Sequence, residues 1–459
     1  MNNRKKIFIG AAIASLLLSP PAQGKVELPA MMGNNMVLQQ QRAVKLWGRA
    51  TGKRVAVTTS WDKKTYYATP GAGGDWLLTV DTPAGGYTPH QISFDDGTKE
   101  VVTLDNVLVG EVWICSGQSN MEMRMKGYTG QPVTGALESI ITSGRYADRI
   151  RFVTVPRTDG NEPRHDFDGQ WEVPSPQTTP ECSATAWYFA RQLAESLTVP
   201  IGLVCTSWGG SNIELWMNET GRLYNVMLMP VKNFTARGFV WYQGESNRSK
   251  YARYAEQTRE MVERWRTLWD DADMPFYYVQ IAPYKYDDSN DTKAALFREA
   301  QFKALKLIPA SGMVGTADVG DELCIHPPRK DAVGQRLATL ALVKTYGAKG
   351  LPHTGPAMRG VTYDGGKATV LFNRNVYTGL VPREVEVTGF EIAGEDKIFH
   401  PAKALVKGSD KVEVWSDEVP NPVAVRYAFR NYVGGITLAN TLGMPAFPFR
   451  TDTWEEIKN

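Results

Sequence analysis

The sequence predicts an α/β fold, in which a three-layer domain with a mainly parallel sheet lies between two β-sandwich or jelly-roll segments. Short apolar runs alternate with helical periods over residues 106–348, which is typical of βαβ units. Over residues 25–105, short alternating segments are separated by Gly, Pro and Asp turns, as in an all-β domain, and this pattern returns over 349–459. Periodicity does not decide whether the two β segments form one sandwich.

Composition limits the class of protein. The chain has 459 residues, 42% hydrophobic and 22% charged, so we expect two or three folded domains rather than a disordered chain. Its 51 basic and 49 acidic residues leave a formal net charge of +2, with both signs scattered along the chain. This pattern lacks the basic field of a nucleic-acid-binding protein, so we expect no nucleic-acid partner.

The first 24 residues are predicted to be an export signal. Arg4, Lys5 and Lys6 precede an apolar run over residues 7–18, and a small-residue cleavage site follows at 22–24. The run is too short to span a bilayer comfortably, and no later stretch approaches about 20 apolar residues. We therefore expect cleavage before Lys25, a periplasmic or secreted location and no membrane insertion.

The elements of the α/β segment follow from periodicity and from helix start and stop signals. Ser183 is a suitable N-cap for a helix with apolar residues at helical spacing, and Pro200 ends that helix. Compact apolar runs on either side read as buried strands. The predicted strands are residues 107–115, 201–205, 238–242, 275–281 and 313–316, and the predicted helices are 186–197, 251–268, 294–307 and 331–346.

The chain has four widely spaced cysteines, Cys115, Cys182, Cys205 and Cys324, which resemble no zinc framework. In an oxidising compartment they can form disulfides, with three pairings allowed, whereas isolated cysteines are also common in protein cores. Both alternatives stay open.

Three polar motifs directly follow predicted sheet strands, where ligands bind in open parallel sheets. Ser119, in the first motif, would have its hydroxyl at the sheet rim, although a serine there is also a common helix N-cap. Gly209, in the second, allows close backbone approach to a ligand, although a plain turn explains it equally well. Gln243, in the third, carries an amide suited to an oxyanion hole, and Glu245 can brace that loop.

A serine nucleophile also needs a base, and of five histidines only His326 is predicted to follow a sheet strand and precede a helix. The alternative is a structural histidine held by the two prolines after it. A metal site formed by Asp321, Cys324 and His326 is less favoured, because no recognised ligand spacing accompanies them.

Four motifs taken together resemble the sialate O-acetylesterase family of SGNH (GDSL-type) hydrolases. Shorter likenesses at both ends of the mature chain extend the resemblance over nearly all of it. The four motifs are residues 110–121 (GEVWICSGQSNM), 206–210 (TSWGG), 241–247 (WYQGESN) and 325–327 (IHP), and the shorter likenesses are 36–39 (MVLQ), 44–48 (VKLWG) and 448–452 (PFRTD).

The resemblance implies that Ser119 is the nucleophile and His326 the base. It also implies that Gly209 or Gly210, Gln243 and the Ser119 backbone N–H form the oxyanion hole. The chain departs from the family at the acid, because Leu323 and Cys324 occupy the two positions where relatives carry it. Asp321 is our first choice for the acid. Asp318, Glu322 or a backbone carbonyl are the alternatives.

The implied reaction is hydrolysis of sugar acetyl esters through an acetyl-serine intermediate, with no metal or organic cofactor. O-acetylated sialic acid is the first substrate the resemblance implies. Arg298 is a candidate for meeting its carboxylate, although an arginine on a helix is more often solvated or salt-bridged. Acetylated xylan or another plant glycan is the rival substrate. A secreted carbohydrate-binding protein that has lost activity is the alternative from a different class.

Overall fold

The computed structural model describes residues 25–98, 100–373, 379–382 and 385–454. The predicted export signal, residues 1–24, lies outside the described residues. Within them, no helix has the length and apolar character needed to cross a membrane.

A single long strand joins the N-terminal β segment to the α/β segment. Strand β7 is antiparallel to β6 in its first half and lies between parallel neighbours in its second half. The predicted domain boundary between residues 105 and 106 therefore falls inside one strand. The N-terminal strands are β1 (Val37–Gln39), β2 (Ala43–Arg49), β3 (Val55–Thr59), β4 (Thr65–Ala68), β5 (Asp75–Asp81), β6 (Gly86–Asp95) and β7 (Val102–Gly117).

The N-terminal strands enclose an apolar core. Strands β2 and β5 pair with each other, while β4, β3, β6 and the first half of β7 form a second antiparallel layer. Trp76 of β5 packs on Phe94 of β6, with ring centroids 5.8 Å apart. Strand β5 alternates strictly between exposed and buried positions, as expected for a strand with one face on a core.

The second half of β7 is central to a parallel sheet of order β8–β9–β7–β10–β11–β12. These strands are buried on both faces, as parallel strands covered by helices must be. Strand β8 was not predicted, because it contains Arg151. The remaining strands of this sheet are β8 (Ile150–Thr154), β9 (Ile201–Ser207), β10 (Gly238–Tyr242), β11 (Phe276–Val279) and β12 (Ser311–Val314).

Helices cover both faces of the parallel sheet and complete the three predicted layers. The apolar faces of α3 and α6 lie in one core with Trp113 and Val240, and those of α4 and α5 lie in the other with Phe239. The Ser183 hydroxyl accepts a hydrogen bond from Ala186 N at 3.2 Å, which confirms the predicted N-cap. The α-helices are α1 (Ser119–Glu122), α2 (Ala136–Thr142), α3 (Ala184–Ser196), α4 (Tyr251–Trp269), α5 (Lys293–Leu307) and α6 (Lys330–Lys344).

Short helical turns occur in the connections. They are 3₁₀-helices at Ser143–Tyr146, Thr179–Glu181, Ile213–Trp216, Met229–Val231 and Glu245–Lys250, with a π-helix at Tyr224–Leu228.

The C-terminal segment forms two four-stranded antiparallel sheets, β13–β14–β19–β18 and β17–β16–β20–β22, and a small β15–β21 pair. Its core consists of C-terminal residues alone, so the two β segments do not share one sandwich core. The strands are β13 (Met358–Asp364), β14 (Lys367–Phe372), β15 (Leu380–Val381), β16 (Phe390–Ala393), β17 (Phe399–Pro401), β18 (Lys403–Lys407), β19 (Lys411–Trp415), β20 (Ala424–Tyr427), β21 (Ala439–Asn440) and β22 (Phe449–Arg450).

All four cysteines lie in the described part of the chain and are free thiols. Cys115 of β7 and Cys205 of β9 are opposite each other in the strand register and, like Cys182, are buried. Cys324 is partly exposed.

Candidate active site

The strand register brings the three polar motifs to one edge of the sheet. Gly117, the last residue of β7, is opposite Ser207 of β9 and Tyr242 of β10. All three motifs therefore begin at the same level. Gly117 has φ 143°, and a Cβ there would lie 2.2 Å from the Tyr242 carbonyl oxygen, so only glycine permits this close strand pairing.

Ser119 follows this glycine and begins helix α1. The N-cap of α1 is Gln118, so the capping alternative for Ser119 does not hold. The Ser119 carbonyl accepts hydrogen bonds from the Tyr128 hydroxyl at 3.1 Å and from Met123 N at 2.8 Å. Its hydroxyl forms no hydrogen bond with the residues that the structure describes, and the residue is partly exposed. The hydroxyl is therefore available to a ligand.

His326 lies in the loop between β12 and α6, and two contacts tie this loop to the serine loop. Asn120 Nδ2 donates to the Ile325 carbonyl at 3.1 Å. The ring of Tyr128, whose hydroxyl bonds Ser119, packs edge-on against the imidazole with centroids 5.1 Å apart. The structure thus brings the predicted serine and histidine into one cluster.

The imidazole of His326 is held by a residue that sequence reasoning missed. Its Nδ1 lies 2.7 Å from Gln131 Oε1. Because an amide oxygen only accepts, Nδ1 carries the hydrogen and Nε2 presents a lone pair. No motif marks Gln131, which is 195 positions away from His326 in the sequence.

The carboxylates predicted to orient His326 have other partners. Asp321 Oδ1 accepts the backbone N–H groups of Leu323 at 2.8 Å and Cys324 at 3.0 Å, so it shapes the loop instead of holding the imidazole. The two alternatives are also engaged elsewhere: Asp318 binds Arg336 through two hydrogen bonds, and Glu322 accepts from Ser289. In the described part of the chain, no group of three or more His, Cys, Asp or Glu side chains is arranged to hold a metal ion.

Behind Ser119, a chain of buried polar side chains connects the Ser119 loop, the loop after β10 and the His326 loop. Lys330 Nζ donates to Asn120 Oδ1 at 2.5 Å, and Asn120 Nδ2 donates to Glu245 Oε1 at 2.6 Å. Lys330 is fully buried at the start of α6. The helix dipole disfavours a cation at the N-terminus of a helix, so a lysine at this position is unusual. This signal in the sequence was not among those that predicted the site. Glu245, which was predicted to brace its own loop, bonds instead to Asn120 of the serine loop.

Burial and neighbouring charges shift the pKa values of this cluster. Burial, and next the charge of Lys330, lower the pKa of His326 to about 4, while Glu122 acts in the opposite direction. Burial lowers the pKa of Lys330 to about 7, partly offset by Glu245. Burial raises the pKa of Glu245. His326 is therefore neutral, and able to accept a proton, at pH values where histidine is ordinarily charged.

Gly209 lies beside Ser119, since a Cβ built on it would be 3.4 Å from Ser119 Cβ. Its N–H already donates to Glu122 Oε2 at 2.9 Å, and Arg157 binds both oxygens of that carboxylate at 2.5–2.6 Å. The Glu122 carboxylate thus occupies the Gly209 N–H, which was predicted to donate to the oxyanion. Gly210 is exposed, with φ 75°.

The contacts of Gln243 do not support its predicted role as an oxyanion donor. Its Nε2 donates to the Ser211 carbonyl at 3.1 Å and to Asn247 Oδ1 at 2.8 Å, and its Oε1 accepts from the Tyr254 hydroxyl at 2.7 Å. The side chain is fully buried. Both amide hydrogens are used in holding the loop after β10.

The hypothesis that Arg298 meets a substrate carboxylate is wrong. Its side chain is buried on α5, and it donates hydrogen bonds to the carbonyl groups of Arg430 and Asn431 in the C-terminal segment. Its position is fixed by the contact between α5 and that segment.

A three-layer α/β fold in which a serine and a histidine meet at the carboxyl edge of the parallel sheet is the arrangement of a serine esterase. Residues 109–343 match the family model described as carbohydrate esterase, sialic acid-specific acetylesterase. The chain belongs to this family.

Individual relatives agree with this assignment. Human sialate O-acetylesterase is 28% identical over 387 residues, which cover 71% of this chain and 72% of the relative. The mouse enzyme of the same name is 29% identical over 412 residues, covering 70% and 74%. The crystal structure of a carbohydrate acetylesterase from Xanthomonas citri superposes with a TM-score of 0.85 at 33% identity, covering 94% of this chain and 100% of that one.

Proposed function

We propose that the protein removes O-acetyl groups from sugars by serine catalysis. Ser119 Oγ attacks the acetyl carbonyl while His326 Nε2 takes the hydroxyl proton, and the imidazolium then protonates the departing sugar alkoxide. Water then attacks the acetyl-serine carbonyl while His326 Nε2 takes its proton, and this proton passes to Ser119 Oγ as the bond between Oγ and the acetyl carbon breaks and acetate leaves. The backbone N–H of Ser119, in the first turn of α1, is available to the oxyanion, and the Gly209 N–H joins it when Glu122 moves aside.

One observation carries this proposal. Tyr128 and Asn120 tie the Ser119 loop to the His326 loop, and Gln131 holds Nδ1 of His326, which leaves Nε2 free to act as the base. A structural histidine needs no such coupling to a serine with a free hydroxyl. The family of the chain is consistent with this chemistry.

O-acetylated sialic acid is the substrate we propose first. Trp208, directly before Gly209, has the guanidinium groups of Arg157 and Arg222 over its ring at 5.1 and 4.3 Å. Arg222 forms an ion pair at 3.8 Å with Asp159, whose side chain is fully exposed. Because Arg157 is paired with Glu122, Arg222 beside Trp208 is the cation we propose for the carboxylate of a sialic acid. Acetylated xylan, a neutral glycan, is the second candidate.

The Ser119→Ala variant tests the catalytic proposal. We expect it to abolish hydrolysis of 4-nitrophenyl acetate and leave the Tm within a few degrees of wild type, because its hydroxyl holds no structural hydrogen bond. Ser409→Ala, at an exposed turn, is the matched control. Retained turnover in Ser119→Ala would exclude Ser119 as nucleophile, and no turnover by wild type on any acetyl ester would favour the inactive carbohydrate-binding alternative.

The Arg222→Gln variant tests the substrate. We expect its KM to rise for O-acetylated sialic acid and to stay unchanged for acetylated xylan, measured as acetate release. Equal changes on both substrates, or faster release from xylan by wild type, would favour the neutral glycan.

We also propose that the mature protein acts outside the cytoplasm. The charged and apolar pattern of residues 1–24 supports this. Protein recovered from the periplasm or medium should begin at Lys25 when its N-terminus is sequenced, and an intact leader on cytoplasmic protein would contradict the proposal.

A further inference from the structure

The partner of His326 is held in place by its own local structure. Tyr128 and Gln131 exchange two backbone hydrogen bonds, at 3.0 and 2.9 Å, across a tight turn. Gly127 and Gly130, with φ 76° and 74°, allow this turn. Three residues after Gln131, Thr134 N donates to the Pro328 carbonyl at 2.9 Å, which attaches the segment to the His326 loop. Gln131 is thus presented to the imidazole by a segment anchored on both loops.

We propose that Gln131 is the positioning residue of the catalytic histidine and takes the place of the acid of a serine-histidine-acid triad. This inference rests on the proposed serine mechanism. It is carried by the 2.7 Å contact between Gln131 Oε1 and His326 Nδ1 and by the other engagements of Asp318, Asp321 and Glu322.

An amide can fix the tautomer of the imidazole without supplying a charge. During acylation the Ser119 O–H bond breaks as the bond from Oγ to the acetyl carbon forms, and the proton moves to His326 Nε2. The Nδ1–H stays in its hydrogen bond to Gln131 Oε1, so no proton passes to the glutamine. When the C–O bond to the sugar breaks, the Nε2 proton goes to the leaving oxygen. Gln131 therefore holds geometry throughout, and the imidazolium gains no ion pair from it.

Among the described residues, four other charged or titratable groups lie around the imidazole, and they affect how readily it takes up a proton. Lys330 of α6 disfavours the imidazolium and Glu122 of α1 favours it. Tyr128 packs on the ring, and the Cys324 thiol donates to the His326 backbone carbonyl at 3.2 Å. Because Gln131 is neutral, it supplies no negative charge at Nδ1 to offset the effect of Lys330 on protonation of the imidazole. We therefore expect the acid limb of kcat/KM to lie well below the range of a carboxylate-paired histidine.

Imidazole ¹⁵N NMR on histidine-labelled protein tests the contact without relying on activity. The His326→Gln spectrum identifies the His326 signals. We expect hydrogen on Nδ1 and none on Nε2 in wild type at neutral pH, and loss of this preference in Gln131→Ala. Gln131→Glu should raise the pKa of His326 by about 1–3 pH units, the size of a close opposite charge. Gln177→Glu, at an exposed position, is the charge-matched control.

Activity supplies the second readout. We expect Gln131→Ala to lower kcat on 4-nitrophenyl acetate at least about tenfold at unchanged Tm, and Gln131→Glu to keep activity while its acid limb moves to higher pH. An Nε2-protonated His326 in wild type, or a His326 pKa unchanged in Gln131→Glu, would overturn the inference. If wild type shows the expected NMR signals but hydrolyses no ester, the proposed function fails while the positioning contact stands.

Discussion

Replacing Lys330 with methionine tests the buried polar chain that joins the three loops of the site. Methionine has about the length and volume of the lysine stem, so the change removes the ammonium with little loss of packing. Asn120 Oδ1 then loses the donor that lies 2.5 Å away, and Glu245 loses the cation that partly compensates its buried carboxylate. Both effects destabilise the loops behind Ser119.

The expected cost follows from these two losses. A buried acceptor left without a donor costs about 1–3 kcal/mol, and breaking a buried ion pair costs about 3–5 kcal/mol. Because Asn120 separates the two charges and Glu245 can take up a proton, we expect a combined loss of about 3 kcal/mol. For a unit of about 150–250 residues this lowers Tm by roughly 6–12 °C.

The assay is thermal unfolding at pH 6, where Lys330 carries its proton, together with the pH profile of kcat/KM. Removing the cation should also move the acid limb to higher pH, since Lys330 lowers the pKa of His326. Lys306→Met, at an exposed position on α5, is the control. The double variant Lys330→Met/Glu245→Gln should recover about 1–2 kcal/mol, because it removes both charges. A Tm equal to that of Lys306→Met, with an unshifted acid limb, would refute this reasoning.

Three further predictions concern single groups. Gln243→Ala should lower Tm, at a cost of about 2–4 kcal/mol, because it removes three buried hydrogen bonds, to the Ser211 carbonyl, to Asn247 Oδ1 and from the Tyr254 hydroxyl. An unchanged Tm with a 10²-fold lower kcat would instead restore its oxyanion role. Asp321→Asn should keep kcat within about threefold of wild type, since its carboxylate contacts backbone N–H groups, and a loss near 10⁴-fold would make it the triad acid after all. In wild type, kcat/KM should stay constant down to about pH 5 and fall about tenfold per unit below pH 4, because the base must be neutral; a limb near pH 6.5 would contradict the lowered pKa of His326.

The sequence allowed the layers of the fold and the meeting of Ser119 with His326 to be predicted, because both depend on periodicity and on strand ends. The cap at Ser183 is likewise a local property. The partner of His326 was not predictable, because it comes from a loop 195 positions away and its identity depends on side-chain direction. The same limit explains Gln243: its place at a strand end was predicted, but the side to which its amide turns depends on Tyr254 and Asn247, which no local pattern connects to it.

Strand β7 has consequences for the order in which the chain can fold. Its first half pairs with β6, its neighbour in sequence, whereas β9 and β10 follow it by roughly one hundred residues. Contacts between near segments form faster than contacts that close long loops. We therefore expect the β6–β7 hairpin to form first and to leave residues 111–117 as an open strand edge on a nascent chain. Until β9 and β10 arrive, that apolar edge is the segment most exposed to pairing with another molecule, and co-translational aggregation should begin there.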